Sequence, residues 1–252
     1  WEPVIGASVI ANNVEFRYKN NPEIILNKTT LNIKSGEIFC ILGLSGCGKS
    51  TLLRLLAGLE TEYSGIISID EEKLNGYRED TTMVFQDFSL FPWRTVKRNV
   101  LFPMEQHRHE KKDFENKVNQ LLRLIGLSQK ANDFPDFLSG GQMQRVAFAR
   151  ALAVTPRLIL LDEPFSSLDI HTRETLQEEI SDIFQYTGVT AIMVTHDISE
   201  AIFMADRIAI MRPGGHLTKE YTISVPRPRR RDFRNSIEFR ELVDILWQQI
   251  NP

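Results

Sequence analysis

The fold is decided by the stretch Gly43-Leu44-Ser45-Gly46-Cys47-Gly48-Lys49-Ser50-Thr51. It follows the apolar run 38–42 and opens a second apolar run, 51–59, of helical character. Residues 43–50 match the pattern G-x-x-x-x-G-K-S/T, whose glycines let successive backbone N–H groups face the phosphates of a nucleotide. In this pattern Lys49 contacts the phosphates and Ser50 ligates Mg²⁺. An ordinary glycine-rich turn would match by chance on the order of once in a hundred chains of this length. The stretch therefore predicts a nucleotide-phosphate site, here called the phosphate loop (residues 43–50), with Thr51 beside it.

Composition limits the class of protein. Of 252 residues, 42% are hydrophobic and 25% are charged, which suits one compact domain with a subdomain. The formal net charge of −3 gives no support to nucleic acid as a partner. The sequence holds no apolar run of about 18 or more residues, so we expect the chain itself not to span a membrane. Cys40 and Cys47 are expected to be reduced thiols, because a disulfide at Cys47 would obstruct a ligand of the glycine-rich loop. A zinc site is not expected, since neither cysteine has a ligand partner at the usual spacing.

Apolar periodicity predicts two kinds of strand and one helical region. Residues 38–42, 158–161 and 191–194 are continuously apolar, which is typical of parallel strands covered on both faces. The alternating segments 9–18 and 66–69 predict an antiparallel lobe. Apolar residues recur at helical spacing between residues 88 and 155 and again over 171–186. A tail from Pro226 ends in a further helical pattern over residues 239–250.

These elements predict an α/β fold: a P-loop NTPase core with a mainly parallel sheet, an antiparallel β lobe and an inserted α-helical subdomain. We expect the core and β lobe to span about residues 7–87 and 156–225, and the helical subdomain about residues 88–155. Together they form one domain, residues 1–225, followed by a short tail with a helix, residues 226–252. Arg229, Arg230 and Arg231 in that tail are expected to form a solvated turn, with attraction to lipid headgroups as the alternative.

Two carboxylates follow the apolar run 158–161. Asp162 and Glu163 should lie at the carboxyl edge of a parallel sheet, where ligands of such folds bind. Asp162 can hold Mg²⁺ there, and Glu163 can polarise or deprotonate the water that attacks a γ-phosphate. Without the phosphate loop, the simpler interpretation would be a strand end followed by an acidic turn at Pro164. The two motifs together favour the catalytic interpretation.

The segment Leu138-Ser139-Gly140-Gly141-Gln142 precedes a helix-forming run that extends to Leu152. Ser139 can cap that helix, whose free N–H groups then face an anion, although a capped helix without a ligand has the same pattern. What decides is the combination along the chain: phosphate loop, Gln86, the 138–142 segment, Asp162-Glu163, Ser167-Leu168-Asp169 and His196. With this combination the chain resembles the ABC (ATP-binding cassette) ATPase family from about Val9 to Val225.

The resemblance implies an ATPase that uses ATP and Mg²⁺ and works as a head-to-tail dimer, either of this chain or with a related ATPase. Each ATP would lie between the phosphate loop of one subunit and the 138–142 segment of the other. By the same resemblance Asp169 lies at the interface and Tyr18 stacks on adenine, unless Tyr18 is an ordinary strand tyrosine. The implied catalytic residues are Glu163, His196, Lys49 and Gln86; the implied metal ligands are Ser50, Gln86 and Asp162; the implied contacts with the partner's nucleotide are Ser139, Gly140, Gly141 and Gln142.

Leu90-Phe91-Pro92-Trp93 and Pro226-Arg227-Pro228-Arg229 resemble segments of import ATPases that serve nitrate, sulfonate, taurine or bicarbonate. The resemblance implies a separate integral membrane permease that contacts residues 86–93, with the chain held peripherally at the cytoplasmic face of the membrane. A periplasmic or extracellular solute-binding protein would act indirectly, and substrate choice would lie in these other subunits. Residues 91–93 also have a simpler interpretation, as a buried loop of the helical subdomain.

Two other classes remain as alternatives. A soluble ABC ATPase acting on nucleic acid or ribosomes would share all of these motifs, but such proteins usually carry long coiled coils or two cassettes. This sequence has one cassette and no heptad run. A P-loop kinase or GTPase would share only the phosphate loop, and it would leave the 138–142 segment and His196 without a role.

Overall fold

The computed structural model describes residues 3–19, 22–106 and 114–250. In this part of the chain, a four-stranded antiparallel sheet is formed by β1 (Val9–Phe16), β2 (Leu26–Ile33), β4 (Ser64–Ile69) and β5 (Glu72–Lys73), in the order β2-β1-β4-β5. The central sheet consists of β3 (Ile38–Leu42), β6 (Thr81–Val84), β7 (Leu158–Asp162), β8 (Thr190–Thr195), β9 (Arg207–Arg212) and β10 (His216–Thr222).

The order across the central sheet is β10-β9-β3-β8-β7-β6. The pairings from β9 to β6 are parallel, and the edge pair of β9 and β10 is antiparallel. The predicted mainly parallel sheet and antiparallel lobe are therefore confirmed. One boundary differs: β1 ends at Phe16, so Tyr18 lies beyond the strand and not within it.

Strand β3 shows why its sequence is apolar without alternation. All five of its residues are buried. Ile38, Cys40 and Leu42 belong to a core shared with the helices, whereas Phe39 and Ile41 belong to a second core under the antiparallel sheet. Because successive strand residues point to opposite faces, a strand covered on both sides must be apolar throughout.

The helices lie around these sheets. They are α1 (Lys49–Leu56), α2 (Val96–Gln106), α3 (Phe114–Leu124), α4 (Gly140–Leu152), α5 (Ile170–Thr187), α6 (Ile198–Met204), α7 (Arg231–Arg234) and α8 (Ile237–Ile250). Helices α2, α3 and α4 fall within the expected helical region of residues 88–155, between β6 and β7. The predicted helices over 171–186 and 239–250 correspond to α5 and α8.

Helix α1 begins and ends earlier than its apolar pattern suggests. It starts at Lys49 and ends at Leu56, not at Leu59. Gly58 closes it in the left-handed conformation with φ of 69°. The Leu59 N–H then donates to the Arg54 carbonyl at 2.9 Å, which satisfies a helix-end acceptor in the usual glycine-terminated manner. Residues 57–59, which continue the apolar run, therefore form a turn and not a continuation of the helix.

The expected solvated turn at residues 229–231 is wrong for Arg229. Its side chain is only 2% exposed. Its Nη1 donates to the carbonyls of Ile202, Phe203 and Ala205 at 3.1, 2.9 and 2.8 Å. Carbonyls in the last turn of a helix have no intrahelical partner, so a guanidinium can satisfy several of them at once. Arg230 and Arg231 are exposed, as predicted.

We expect Gly58→Ala to destabilise the fold more than Gly76→Ala, with urea denaturation as the measurement. A Cβ at residue 58 would lie 2.1 Å from the Gly76 carbonyl oxygen, and φ there is 69°. At Gly76, φ is 100° but no atom lies within 4 Å of the added carbon. Gly76→Ala should therefore lose only the left-handed conformational term, about 1–2 kcal/mol, and Gly58→Ala roughly twice that or more. Equal losses in the two variants would contradict the close approach.

Candidate functional site

The predicted catalytic residues lie at one edge of the central sheet. The phosphate loop follows β3, Glu163 follows β7, and His196 follows β8. Gln86 comes two residues after β6. Since β6, β7, β8 and β3 are parallel neighbours, their carboxyl ends meet at the same edge. Residues far apart in sequence are brought together by this alignment.

The phosphate loop encloses the ammonium group of Lys49. Its Nζ donates to the carbonyls of Gly43 and Leu44 at 2.8 and 3.0 Å. The side chain is 4% exposed and lies 4.0 Å from a Glu163 oxygen. Leu44, Ser45 and Gly46 are exposed around it. The loop thus presents a buried positive charge beneath an open rim, which suits an anion.

Cys47 lies on the inner side of this loop. It is 2% exposed, and a Cβ placed on Gly43 would come 3.0 Å from its Sγ. Burial raises the pKa of the Cys47 thiol, with the charge of Lys49 acting in the opposite direction. The thiol therefore faces the core, and only the backbone of this residue is available to a ligand.

Ser50 and Asp162 bring together two side-chain oxygens that can ligate a metal ion. The Ser50 hydroxyl donates to Asp162 Oδ1 at 2.8 Å. Burial raises the pKa of the Asp162 carboxyl, and the hydrogen bond from Ser50 opposes this shift. A hydroxyl beside a partly desolvated carboxylate is the hard-oxygen environment that Mg²⁺ prefers. Gln86 is exposed and takes part in neither this bond nor those of Lys49.

Glu163 contacts both Lys49 and the predicted histidine. Its Oε2 lies 2.9 Å from Nδ1 of His196, and its own N–H donates to the Val194 carbonyl at 3.0 Å. The backbone of Glu163 is left-handed, with φ of 45°. Strain of this kind in a residue other than glycine persists only where its surroundings hold it, and it is concentrated at functional sites. The carboxylate is thus fixed between an ammonium and an imidazole.

The 138–142 segment forms the capped helix start that its sequence indicates. Ser139 Oγ accepts from Gln142 N at 3.3 Å, and Gln142 Oε1 accepts from Ser139 N at 3.0 Å. A Cβ on Gly141 would lie 2.4 Å from Cγ2 of Thr172, so Thr172 would have to move to admit any other residue there. Asp169 caps α5 by accepting from Thr172 N at 3.0 Å, and this backbone bond lowers the pKa of Asp169.

The predicted residues therefore form two groups. One contains the phosphate loop, Asp162, Glu163 and His196; the other contains residues 139–142 and Asp169. Within the described residues, no hydrogen bond or ion pair connects residues 139–142 with the phosphate loop.

Tyr18 lies beside the start of α1. Its hydroxyl is 3.2 Å from Oγ1 of Thr51, and its ring contacts Phe16 edge to face at a centroid distance of 4.9 Å. The side chain is 38% exposed. An exposed aromatic face next to the phosphate loop is available for stacking on a base.

The loop after Gln86 is exposed at its tip. Pro92 and Trp93 are exposed, so the alternative of a buried loop is wrong. Arg150 of α4 holds the base of this loop by donating to the carbonyls of Phe88 and Ser89 at 3.0 and 2.5 Å. Beside it lies an apolar cavity of about 430 Å³, lined by Tyr77, Phe85, Phe91, Phe102, Pro103 and Arg150 among others.

Sequence reasoning missed Glu200. It is 4% exposed, it accepts a hydrogen bond from the Thr195 hydroxyl, and burial raises its pKa to about 7. The signal was the spacing Asp197-x-x-Glu200, which is typical of a helix start. Asp197 does cap α6, accepting from Glu200 N at 3.0 Å. The Glu200 side chain, however, turns inward to the residue before His196.

Comparison with known proteins gives a consistent result. Residues 26–166 match the family model described as ABC transporter. The chain is 45% identical over 230 residues to the aliphatic sulfonates import ATP-binding protein SsuB of Pectobacterium atrosepticum, covering 90% of this chain and 84% of that protein. It is 41% identical over 240 residues to the nitrate import ATP-binding protein NrtC of Synechococcus elongatus, covering 90% of this chain but 36% of that longer protein.

A solved structure resembles the fold as well. The dimeric ATP-binding cassette MJ0796, in a post-hydrolysis state with ADP and Pi, superposes with a TM-score of 0.76 at 35% identity. The match covers 86% of this chain and all of that one. These matches confirm the family and the fold class that the order of motifs indicates.

We expect Glu200→Gln to change how stability depends on pH. Burial raises the folded-state pKa of Glu200 to about 7 from an ordinary value of 4.5. Between these two pH values the folded state keeps a proton that the unfolded state has lost. The free energy of unfolding therefore falls as the pH rises from 4.5 to about 7. Glutamine cannot ionise, so the variant should gain up to about 3 kcal/mol relative to wild type on going from acidic to mildly alkaline pH.

The measurement is the free energy of unfolding in urea at several pH values across this window. Glu71→Gln, at an exposed turn residue, is the control and should keep the wild-type pH profile. Parallel profiles for wild type and Glu200→Gln would show that Glu200 does not titrate in this way.

Proposed function

The chain belongs to the ABC transporter family, and we propose that it is the ATP-hydrolysing subunit of an importer, coupled to a separate membrane permease. The observation that carries this proposal is the placement of the Glu163 carboxylate between Lys49 and His196 at the edge where the phosphate loop opens. A buried ammonium can neutralise a phosphate, and a fixed carboxylate beside it can take a proton from water. These are the parts that hydrolysis of a phosphoanhydride requires.

Each residue then has a defined task. Lys49 and the N–H groups of the phosphate loop hold the β- and γ-phosphates of ATP, and Tyr18 stacks on adenine. Glu163 accepts the proton of the attacking water, while His196 orients that carboxylate and contacts the γ-phosphate. A positioned base of this kind contributes roughly 10²- to 10⁴-fold in rate.

Ser50 and Asp162 fit a magnesium ion, with Gln86 as a further ligand from the adjacent loop. The fit rests on the 2.8 Å contact of a hydroxyl with a carboxylate whose pKa burial raises, since a cation there offsets the desolvated charge. Bound Mg²⁺ neutralises charge on the phosphates of ATP. The protein's contribution is to hold these oxygens at the mouth of the phosphate loop.

We propose a head-to-tail dimer, with a second copy or with a related ATPase. The dimeric structure of the similar cassette MJ0796 supports it. Residues 139–142 and Asp169 of one subunit could then complete the phosphate loop of the other. Ser139 at the N-terminus of α4 is exposed, and a helix N-terminus suits the γ-phosphate of a nucleotide held by the partner.

We assign residues 1–225 to the catalytic domain, with its core and β lobe over about 7–87 and 156–225 and its helical subdomain over about 88–155. Residues 226–252 form the tail. The position of α2, α3 and α4 between β6 and β7 supports these boundaries.

The permease is proposed to contact residues 86–93. The exposed ring of Trp93 and the apolar cavity beside Phe91 support an apolar helix as the contacting element. Among the described helices, none has both the length and the apolarity needed to cross a bilayer. We place the subunit peripherally at the cytoplasmic face of the membrane, with a periplasmic or extracellular solute-binding protein acting through the permease.

The solute is proposed to be a small anion such as nitrate, a sulfonate, taurine or bicarbonate. The names of the nitrate and sulfonate import relatives support this class, although the chain spans only about a third of the nitrate protein NrtC. The same names do not favour a soluble ATPase that acts on nucleic acid or ribosomes, and the net charge of −3 gives such a partner no support.

We expect Glu163→Gln to bind ATP but to hydrolyse it about 10²- to 10⁴-fold more slowly, because the base is lost while the phosphate contacts remain. An ATP-bound dimer should accumulate. Phosphate release measures the first effect, and light scattering with and without ATP measures the second. Glu71→Gln is the matched control at an exposed glutamate. Wild-type turnover in Glu163→Gln would eliminate Glu163 as the base.

We expect Trp93→Ala to weaken recovery of the permease. The tagged chain is purified from gently solubilised native membranes, and co-purifying proteins are identified by mass spectrometry. A multispan membrane protein should be recovered in stoichiometric amount with wild type and with Ile66→Ala, a control at a 53% exposed apolar residue on β4. Its yield should fall about tenfold with Trp93→Ala, because an exposed aromatic residue at an interface carries a large share of the binding energy. Recovery of only ribosomal or DNA-associated proteins would refute the transport function.

A further inference from the structure

Helix α6 connects His196 to the tail. The helix has seven residues and begins two positions after His196, with Asp197 as its N-cap. Asp197 Oδ2 also accepts from Arg173 of α5 at 3.1 Å. At its other end, Ala201 to Met204 are buried. Because a helix this short has little stability of its own, its position depends on what holds its two ends.

Arg229 of the tail holds the C-terminal end. Besides the three carbonyls of residues 202, 203 and 205, it binds the Val225 carbonyl through Nε at 2.9 Å. Burial lowers its pKa to about 10, so the side chain remains charged at neutral pH. A cation at a helix C-terminus is favourable because the carbonyls there carry partial negative charge. The tail is thereby fixed to the last turn of α6.

Arg234 contacts the same end of α6 through Phe203, and it reaches the first turn of α6 through Gln177 of α5. Its guanidinium lies 3.8 Å from the centroid of the Phe203 ring and donates to Oε1 of Gln177. Gln177 in turn donates to Oε1 of Glu200 at 3.4 Å, and Glu200 accepts from the Thr195 hydroxyl. A buried polar chain therefore leads from the tail to the residue that precedes His196.

Thr195 extends this chain into the site on two sides. Its hydroxyl oxygen accepts from Asp197 N at 3.0 Å, which fixes the backbone around His196. Its carbonyl accepts from Gly43 N at 3.2 Å, at the start of the phosphate loop. If His196 itself moved away by about an ångström, its 2.9 Å contact with Glu163 would exceed hydrogen-bond distance.

We propose that the tail is a positioning element of the hydrolytic site, in which Arg229 and Arg234 hold α6 so that His196 stays in contact with Glu163. Both are positioning residues, since neither reaches the phosphate loop. The inference rests on the proposed ATPase function and adds a control point outside the nucleotide site. A partner or modification that displaced the tail would slow hydrolysis without occupying the ATP site.

The test is a double-mutant cycle in the 252-residue chain with Arg234→Gln and His196→Ala. ATP hydrolysis is followed under single-turnover conditions, so that the slow His196→Ala reaction is measurable. In the wild-type background we expect Arg234→Gln to lower the rate constant about tenfold, with the apparent affinity for ATP within about twofold. In the His196→Ala background, Arg234→Gln should lower the rate constant less than about twofold, because the contact of His196 with Glu163 is already absent.

Equal tenfold losses in both backgrounds would overturn the proposal, since a merely structural role of Arg234 is independent of His196. An unchanged rate in Arg234→Gln alone would overturn it as well. Arg231→Gln, an exposed arginine in the same turn of the tail, is the matched control and should behave as wild type. Loss of ATP binding in Arg234→Gln would also overturn the proposal, since a residue that only positions His196 leaves the affinity for ATP nearly unchanged. A wild-type chain that does not hydrolyse ATP would instead refute the proposed function.

A second measurement does not depend on activity. Amide hydrogen exchange over residues 197–204 should be at least about tenfold faster in Arg229→Lys than in wild type, while α1 is unchanged. Unchanged exchange in α6 would show that Arg229 does not hold this helix.

Discussion

The burial of β3 on both faces is the constraint on which the rest of the site depends. Its residues alternate between two cores, and it is bonded to β8 on one side and β9 on the other. A slip by one residue would exchange every side chain between the cores, so the register is strongly fixed. The strand must therefore deliver Gly43 to one point at the sheet edge. There the Gly43 N–H continues the ladder onto the Thr195 carbonyl, so the phosphate loop and the region of His196 share a backbone contact.

The charges at that edge are arranged for a ligand that brings its own charge. Lys49 is nearly enclosed, yet its closest contacts are neutral carbonyls, and the nearest carboxylate oxygen is 4.0 Å away. Its positive charge is thus only partly offset by the protein. Asp162 is partly desolvated, and its pKa is raised for that reason. Phosphates would compensate Lys49, and a cation would compensate Asp162. The Glu163 carboxylate lies beside them, between Lys49 and His196.

Much of the fold could be predicted from the sequence, because the signals that indicate it are local. The continuous apolar run of β3, the glycines at 43–48 and the Ser139 cap each depend on a few neighbouring residues, and each fold prediction from them is confirmed. Arg229 and Glu200 could not be found in this way. Both are charged residues that become buried through acceptors or donors supplied by distant segments, and composition places such residues at the surface. The roles of the individual site residues stay predictions.

Arg229 binds four backbone carbonyls, those of residues 202, 203, 205 and 225, whereas the ion pairs on the surface join an arginine or lysine to a carboxylate. Peptide carbonyls do not titrate, so acidification that would protonate a carboxylate partner leaves these acceptors unchanged. The site is also nearly closed to water, and buried electrostatic contacts are screened much less by dissolved ions than exposed ones. The junction between α6 and the tail is therefore suited to persist through changes of pH and ionic strength that loosen exposed pairs such as Arg230 with Asp182.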